Sequence, residues 1–372
     1  MATTSGPPTR HPTGATIYSV AERAGVSIAS VSRVLQGSQA VSEKTRTRVL
    51  QAAEELRYVP LAAARSLAVR QHEAHGLVLP ELSGPYYSEL LMGFESRAAE
   101  LGQSVVLMLA QGKQDVPRAV RRLATRVDGI AMLGSSAIPD ETVTALGGSK
   151  PVVLIAGDET PAADTVRAEN SSSAREVTAH VIDHGRTRLL FAGDPSAGPD
   201  IRDRYAGFVA AHEEAGRQAL PPVPVALRED DGTALADRLL SGELDADALV
   251  CANDELALAV MVRLREGGLV VPDDVAVVGW DDVMTARYVV PGLTTVRQPV
   301  RELGARAADL LHERITGSAV PRSAQVIPTH LVIRSSCGCA PAPPTLPAPR
   351  ARPRRTQPNS PSPRTRRKRE TR

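Results

Sequence analysis

The segment TIYSVAERAGVSIASVSRVL, residues 16–35, carries side chains suited to reading DNA. The Arg33 guanidinium suits bidentate pairing with guanine O6 and N7, and Ile28 and Ala29 suit contact with thymine methyls. The hydroxyls of Tyr18, Ser27 and Ser30 suit phosphate oxygens, contacts that position a protein without specifying sequence. Such chemistry requires a helix whose first turn faces outward. Ser19 followed three residues later by Glu22 reads as a capping box, so a helix is expected to begin there with Val20, Ala21 and Ala24 facing inward. Gly25 permits a tight turn, and Ser27 caps a second helix that buries Val31, Val34 and Leu35. A third helix from Ser42 to Arg57, with Val49, Ala53 and Leu56, closes the small core. This is helix-turn-helix spacing, with the second helix directed at the major groove. The alternative is a three-helix module that binds protein, with Arg33 merely solvated.

The stretch YVPLAAARSLAVR follows. Pro60 stops the third helix, and the alanine-rich run after it favours helix, but about eight residues form no stable helix alone in water. Arg65 and a protruding Leu67 suit insertion into a minor groove, the leucine acting as a wedge between base steps. A plain linker is the alternative.

Charge supports a polyanionic partner for the ends of the chain. Residues 1–72 hold nine Lys/Arg and four Asp/Glu, residues 73–340 hold 25 and 37, and residues 341–372 hold ten and one, behind a formal net charge of +2. Basic ends around an acidic body point to nucleic acid at the ends only, because the body repels phosphate. Three cysteines in 372 residues make no disulfide framework and favour a reducing compartment. No apolar run approaches the roughly 18 residues of a membrane span, and the N-terminus lacks a signal-peptide core, so a cytoplasmic protein with no membrane partner is expected.

From His75 to about Arg334 short β-rich runs (HGLVLP, SVVLML, GIAMLG, PVVLIAG, RLLFAGD, ALVCAN, VAVVGWDD, LTTVRQP) alternate with stretches of helical period at 86–101, 171–184, 203–216, 253–266 and 301–316. That alternation predicts parallel sheets covered on both faces, and the length suffices for two lobes with a ligand cleft between them. The expected fold is an all-α helix-turn-helix head on an α/β core of two doubly wound parallel-sheet lobes. The expected division is a lead-in at 1–15, the head at 16–60, hinge helix and linker at 61–72, the core at 73–340 and a basic, proline-rich tail at 341–372.

Enzyme signatures are missing: there is no Walker A loop, dinucleotide GxGxxG, HExxH pair or GxSxG elbow. No catalytic residue, cofactor or metal is expected. The Cys337-Gly338-Cys339 pair has no matching His or Cys set at zinc spacing and reads as incidental thiols near the end of the core.

Taken together and in order, the head, the third helix VSEKTRTRVLQAAEELRYVP, the hinge AARSL, and then SGPYY, RYAGF, ANDELA, VPDDVAVVGWDD and PGLTTVRQP resemble the lactose/purine repressor (LacI/GalR) family. The likeness spans about residues 16–337. It implies a homodimer, or dimer of dimers, with heads on a palindromic double-stranded DNA operator and a core similar to periplasmic sugar-binding proteins. It implies effector contacts at Tyr86, Tyr87, Arg204, Asn253, Asp254, Asp281 and Gln298. Where family members often carry Asp in the run that here reads LIAGD, this chain has Ala156, and Asp158 is the substitute. Gln36, Leu61 and Gly84 each stand where the family usually has Asn, and the basic tail lies outside the family pattern. Carboxylate, amide and guanidinium groups beside aromatic faces fit a polar, ring-shaped ligand such as a saccharide. A regulator released from DNA by a sugar is the leading expectation. A purine-like corepressor is the alternative within the class, and a solute-binding protein or an enzyme are those outside it.

Overall fold

Most core strands are apolar runs of four to six residues with both faces covered, as parallel strands must be. The computed structural model describes residues 15–35, 38, 40–58, 72–136, 138–318 and 321–340, so Arg65, Leu67 and the tail from 341 lie outside the described residues. The head comprises α1 (Ile17–Ala24), α2 (Ile28–Leu35) and α3 (Glu43–Glu55). The first lobe follows with β1 (Ala74–Leu79), α4 (Pro85–Glu100), β2 (Ser104–Leu109), α5 (Val116–Ala124), β3 (Gly129–Leu133), α6 (Asp140–Gly147), β4 (Val152–Ile155) and β5 (Asp164–Ala168). The second lobe contains α7 (Ser171–Asp183), β6 (Leu189–Ala192), α8 (Pro199–Glu214), α9 (Glu229–Leu240), β7 (Ala248–Cys251), α10 (Asp254–Glu266), β8 (Ala276–Asp281) and β9 (Thr294–Arg297). The chain then returns to the first lobe with α11 (Val300–Ile315) and β10 (Ala324–Ile327) and ends in the second with β11 (His330–Val332).

The head core closes on Val20, Val31 and Val49, all fully buried. Its first cap differs from expectation. Thr16, rather than Ser19, is the N-cap: the Ser19 amide donates to Thr16 Oγ1 at 3.3 Å, and the Thr16 amide donates to Ser19 Oγ at 2.8 Å. The helix starts earlier because Ile17 packs on the head core, leaving Glu22 exposed. Gly25 ends α1 in the left-handed region, as the turn requires. The Ser30 amide donates to Ser27 Oγ, which caps α2.

The first lobe is a parallel sheet in the order β10-β5-β4-β3-β1-β2, and the second runs β11-β9-β8-β7-β6. Only β11 is antiparallel, pairing with β9 on an edge of an otherwise parallel sheet. In the first lobe α4 and α11 pack on one face and α5 and α6 on the other; in the second, α9 and α10 oppose α7 and α8. Sequence periodicity missed β5, β10 and β11, and the helices α5, α6 and α9.

Three chain crossings join the lobes, around residues 169–170, 298–299 and 328–329. The first and third are tied together: the Glu169 amide donates to the Ile327 carbonyl at 2.8 Å, and Thr329 Oγ1 bonds Ser173 Oγ at 2.7 Å. Against the second crossing, α11 packs on α4 with almost no space between backbones. A Cβ on Gly304 would lie 2.2 Å from the Leu90 carbonyl oxygen, and one on Gly93 would lie 2.0 Å from that of Arg301. Gly304→Val is therefore expected to lower stability by about 1–3 kcal/mol or more, because backbone must move to admit the side chain. Chemical denaturation of the full chain checks this, and an unchanged midpoint contradicts so close a packing.

Candidate functional site

Two sites emerge, one on the head and one between the lobes. On the head, the turn at Gly25 leaves the first turn of α2 facing outward, so Ser27, Ile28 and Ala29 are exposed, with Arg33 exposed one turn further on. Ser30 is half-buried and bonds Ser27 Oγ at 3.0 Å. Tyr18 on α1 is 68% exposed and Ile28 is 41% exposed, large apolar surfaces that the head itself does not cover. The frame beneath is braced by the Arg23–Glu55 ion pair at 2.6 Å and by Arg48, which donates to the Gly25 carbonyl at 3.2 Å. An outward strip of hydroxyls, methyl groups and one guanidinium can meet base edges and phosphates together.

The second site is a cavity of about 1120 Å³ at the carboxyl ends of strands in both lobes. Of the eight expected effector residues, Tyr86, Tyr87, Arg204, Asn253, Asp281 and Gln298 line it. The two tyrosines stand in the first turns of α4, edge to face with ring centroids 5.5 Å apart. Burial pushes the Tyr86 hydroxyl well above its usual range, with Asp200 and Asp281 adding to the effect. Arg204, only 5% exposed, projects from α8. Its Nε donates to Asn170 Oδ1 at 2.8 Å and its Nη1 to the Ala252 carbonyl at 2.6 Å, while its guanidinium lies 4.4 Å from the Trp280 ring centroid. Asp281 ends β8, and burial pushes its carboxyl up to about 7 although Arg204 and a hydrogen bond from Gln298 oppose the rise. Gln298 Oε1 is buried without a partner among the described residues, so the cavity wall offers an acceptor to a ligand donor.

Asn253 both lines the cavity and caps α10, its Oδ1 accepting from the Leu256 amide at 3.0 Å and its Nδ2 donating to the Leu227 carbonyl. Asp254 lies beneath the wall rather than on it. It accepts from the Val283 amide at 2.9 Å and Thr295 Oγ1 at 2.6 Å, and burial, followed by the nearby Asp281, raises its pKa well above the carboxylate range. Asp158 stands outside the cavity lining and pairs with Arg202 of the other lobe at 2.8 Å. That hydrogen bond, ahead of an opposing burial effect, holds its carboxyl below the usual range.

Sequence reasoning missed Glu81, Asp200, Arg228 and Glu255, which also line the cavity. Asp200 was findable, since it precedes Arg204 by one helical turn in PDIRDRY. Burial raises its pKa, with Arg204 opposing, and Asn170 Nδ2 donates to it at 3.0 Å. Glu81 and Arg228 come from different lobes and meet at 3.1 Å, a contact no local pattern announces. The wall is therefore rich in acceptors and carries more carboxylate than cation, which favours a neutral, hydroxyl-bearing ligand over an anionic one.

A helix-turn-helix head on a two-lobed core, with a polar cavity where the lobes meet, defines a ligand-responsive DNA-binding regulator. The family model for bacterial regulatory proteins of the lacI family matches residues 16–60, and that for the periplasmic binding protein-like domain matches residues 178–337. The HTH-type transcriptional repressor PurR of Pasteurella multocida is 31% identical over 331 residues, covering 87% of this chain and 98% of that protein. The lac repressor dimer bound to operator and the anti-inducer ONPF superposes with a TM-score of 0.79 at 30% identity, over 87% of this chain and 99% of that one. A complex of the transcriptional regulator CelR with cellobiose superposes at 0.65 with 31% identity, over 87% and 99%. The chain belongs to the lacI family of bacterial regulatory proteins. Among the described residues no helix is long and apolar enough to cross a membrane.

The raised pKa of Asp281 fixes a sign. The folded chain keeps a proton that the unfolded chain, with an ordinary aspartate near 3.9, releases between about pH 4 and 7, so stability falls as pH rises through that window. Asp281→Asn is expected to raise the melting temperature at pH 8 and to change it little at pH 5. Equal effects at both pH values would mean that Asp281 titrates as an ordinary carboxylate.

Proposed function

We propose that the protein is a transcriptional repressor that binds a palindromic operator as a homodimer and is released from it by a neutral saccharide held between the lobes. The observation that carries the reading is the convergence of Tyr86 and Tyr87 from one lobe with Arg204, Asn253 and Asp281 from the other on a single cavity. Tyrosine faces pack on a sugar ring, and carboxylate, amide and guanidinium groups bond its hydroxyls in fixed directions. On the head, Ile28, Ala29 and Arg33 read bases while Tyr18, Ser27 and Ser30 hold phosphates. Arg65 and Leu67 are assigned to the minor groove, and the tail to nonspecific attraction at most.

Coupling follows from differential affinity. The lobes meet through three crossings and through the ion pairs Glu81–Arg228, Asp158–Arg202 and Arg167–Asp203. A ligand touching both lobes favours one arrangement of them, and the two hinges of a dimer then change spacing. Releasing operator 100-fold needs a difference of about 2.7 kcal/mol between the ligand's affinities for the two states. Asp158 serves here as an interlobe tie and Asp254 as a support for the wall. A purine-like corepressor is the second reading, favoured by the likeness to PurR repressors.

Fluorescence anisotropy on DNA from upstream of the gene, with nonspecific competitor at near-physiological salt, tests the reading. A discrete site that survives competitor and is released by a sugar is expected. Uniform binding to all sequences contradicts it, and binding that requires a purine overturns the induction half. Arg33→Ala is expected to cost about 1–3 kcal/mol on the cognate site and to relax preference at one base pair per half-site. Equal losses on every sequence would mark Arg33 as a phosphate contact instead. Leu67→Ala is expected to weaken operator binding while leaving ligand affinity intact, and unchanged operator affinity removes the wedge assignment.

A further inference from the structure

On the far side of the second lobe's sheet from α9 and α10, four side chains from two distant parts of the chain converge. His180 and the residue just past the end of α7, His184, lie one helical turn apart on the same face, with ring centroids 4.7 Å apart and planes at 76°. Over them passes the segment after β11, and with it Cys337 and Cys339. His180 Nε2 is 3.3 Å from Cys337 Sγ and 3.5 Å from Cys339 Sγ, and His184 Nε2 is 3.2 Å from Cys339 Sγ. One ligand atom from each of the four residues lies within 4.8 Å of all the others.

The three N···S distances, 3.2, 3.3 and 3.5 Å, are close to the edges of a coordination tetrahedron. With Zn–S near 2.3 Å and Zn–N near 2.0–2.1 Å, tetrahedral angles place ligand atoms roughly 3.3–3.8 Å apart. Two imidazoles and two thiols are also the ligand types that a borderline-soft, d10 divalent ion selects. We propose that His180, His184, Cys337 and Cys339 form a structural zinc site that staples the carboxyl-terminal end of the core to α7.

The surroundings are built to hold this arrangement. Ser336 anchors the cysteine segment to the sheet: its Oγ donates to the Val277 carbonyl at 2.6 Å and accepts from the Thr294 amide at 2.8 Å. Gly338, at φ +108, makes the turn between the thiols, a conformation that a side chain resists. Thr294 Oγ1 donates to Cys337 Sγ at 3.1 Å, the outer contact that orients a sulfur ligand and tempers its charge. Cys337 is fully buried, His180 and Cys339 are half-buried and His184 is exposed, so an ion enters from solvent and completes its shell with protein ligands alone. Four protein ligands leave no open position, which makes the site structural rather than catalytic. Its mechanical effect falls on α7, which starts just after the first lobe crossing and whose Ser173 bonds Thr329 of the third. Zinc thereby makes the segment leaving the third crossing and the helix leaving the first into one rigid piece. The sequence reading of the two cysteines as incidental thiols gives way to this one, because their partners lie 157 and 155 residues away.

The test uses the untagged full chain, reduced, stripped with chelator and titrated with Co²⁺ and then Zn²⁺. One equivalent of Co²⁺ is expected to give tetrahedral visible absorption and a thiolate-to-cobalt band in the near ultraviolet, both bleached stoichiometrically by Zn²⁺. Zn²⁺ is expected to raise the melting temperature. Cys339→Ser and His184→Gln change accessible side chains and should leave the circular dichroism of the fold unchanged, yet abolish the cobalt spectrum and weaken Zn²⁺ binding at least roughly 100-fold. The site is refuted if a chain whose three cysteines titrate as free thiols shows no tetrahedral spectrum. Stoichiometric binding that survives in the Cys337→Ser/Cys339→Ser double variant, or a Cys337–Cys339 disulfide that persists in reductant and excludes metal, refutes it equally.

Discussion

The Arg204 guanidinium sits almost without solvent at the junction of the lobes, and its partners define the architecture around it. It is bonded to Asn170 of the first crossing and to the Ala252 carbonyl beyond β7, and it stacks on Trp280 of β8. A buried cation of this kind is costly unless every donor finds a partner and counter-charge lies near. Asp200, 3.8 Å from the guanidinium, supplies that charge, and Asp281 adds to it once it loses its proton near pH 7, burial having pushed both carboxyls upward. The ligand cavity is the open side of this polar cluster. On the proposed function, a ligand that bonds Arg204 acts on the group that holds Asn170 of the first crossing, and one that bonds Asp281 acts on the partner of Gln298 at the second, a route from the cavity to the lobe geometry.

How far the chain could be read in advance depended on whether the signal was local. Runs such as HGLVLP and VAVVGWDD are buried on both faces and stand out by composition alone. β5, DTVRA, did not, because its Asp164 is buried through an ion pair with Arg314 some 150 residues away. β10 lies on a sheet edge with only partial burial, so its pattern is that of a loop. The helix α9 opens on an acidic turn with a glycine, EDDG, which weakens its helical signature. At the head, the cap moved by three residues because the packing of Ile17 decides where the helix begins.

The sites follow the same division. Outward positions on α2 were legible from spacing, since helix-turn-helix geometry fixes which residues face away from a three-helix core. The cavity residues came through family resemblance, and six of the eight line the cavity. The exceptions have physical causes: Asp254 is turned inward by the Val283 amide and the Thr295 hydroxyl, and Asp158 is drawn outward by Arg202. Glu81, Arg228 and the His180–His184–Cys337–Cys339 cluster are products of tertiary contact and have no signature within any short window.

Under the proposed function the interlobe cavity and the head are energetically coupled, and thermodynamic linkage makes that coupling directly measurable. Trp280 is the only tryptophan in the chain and stacks on the cavity residue Arg204, so its emission reports ligand binding without a label. The decisive measurement is the affinity of a saccharide that perturbs this emission, determined with and without saturating operator DNA. Operator is expected to weaken the saccharide by the same factor by which the saccharide weakens operator, typically about 5–150-fold for coupled sites. A saccharide affinity indifferent to operator would contradict it.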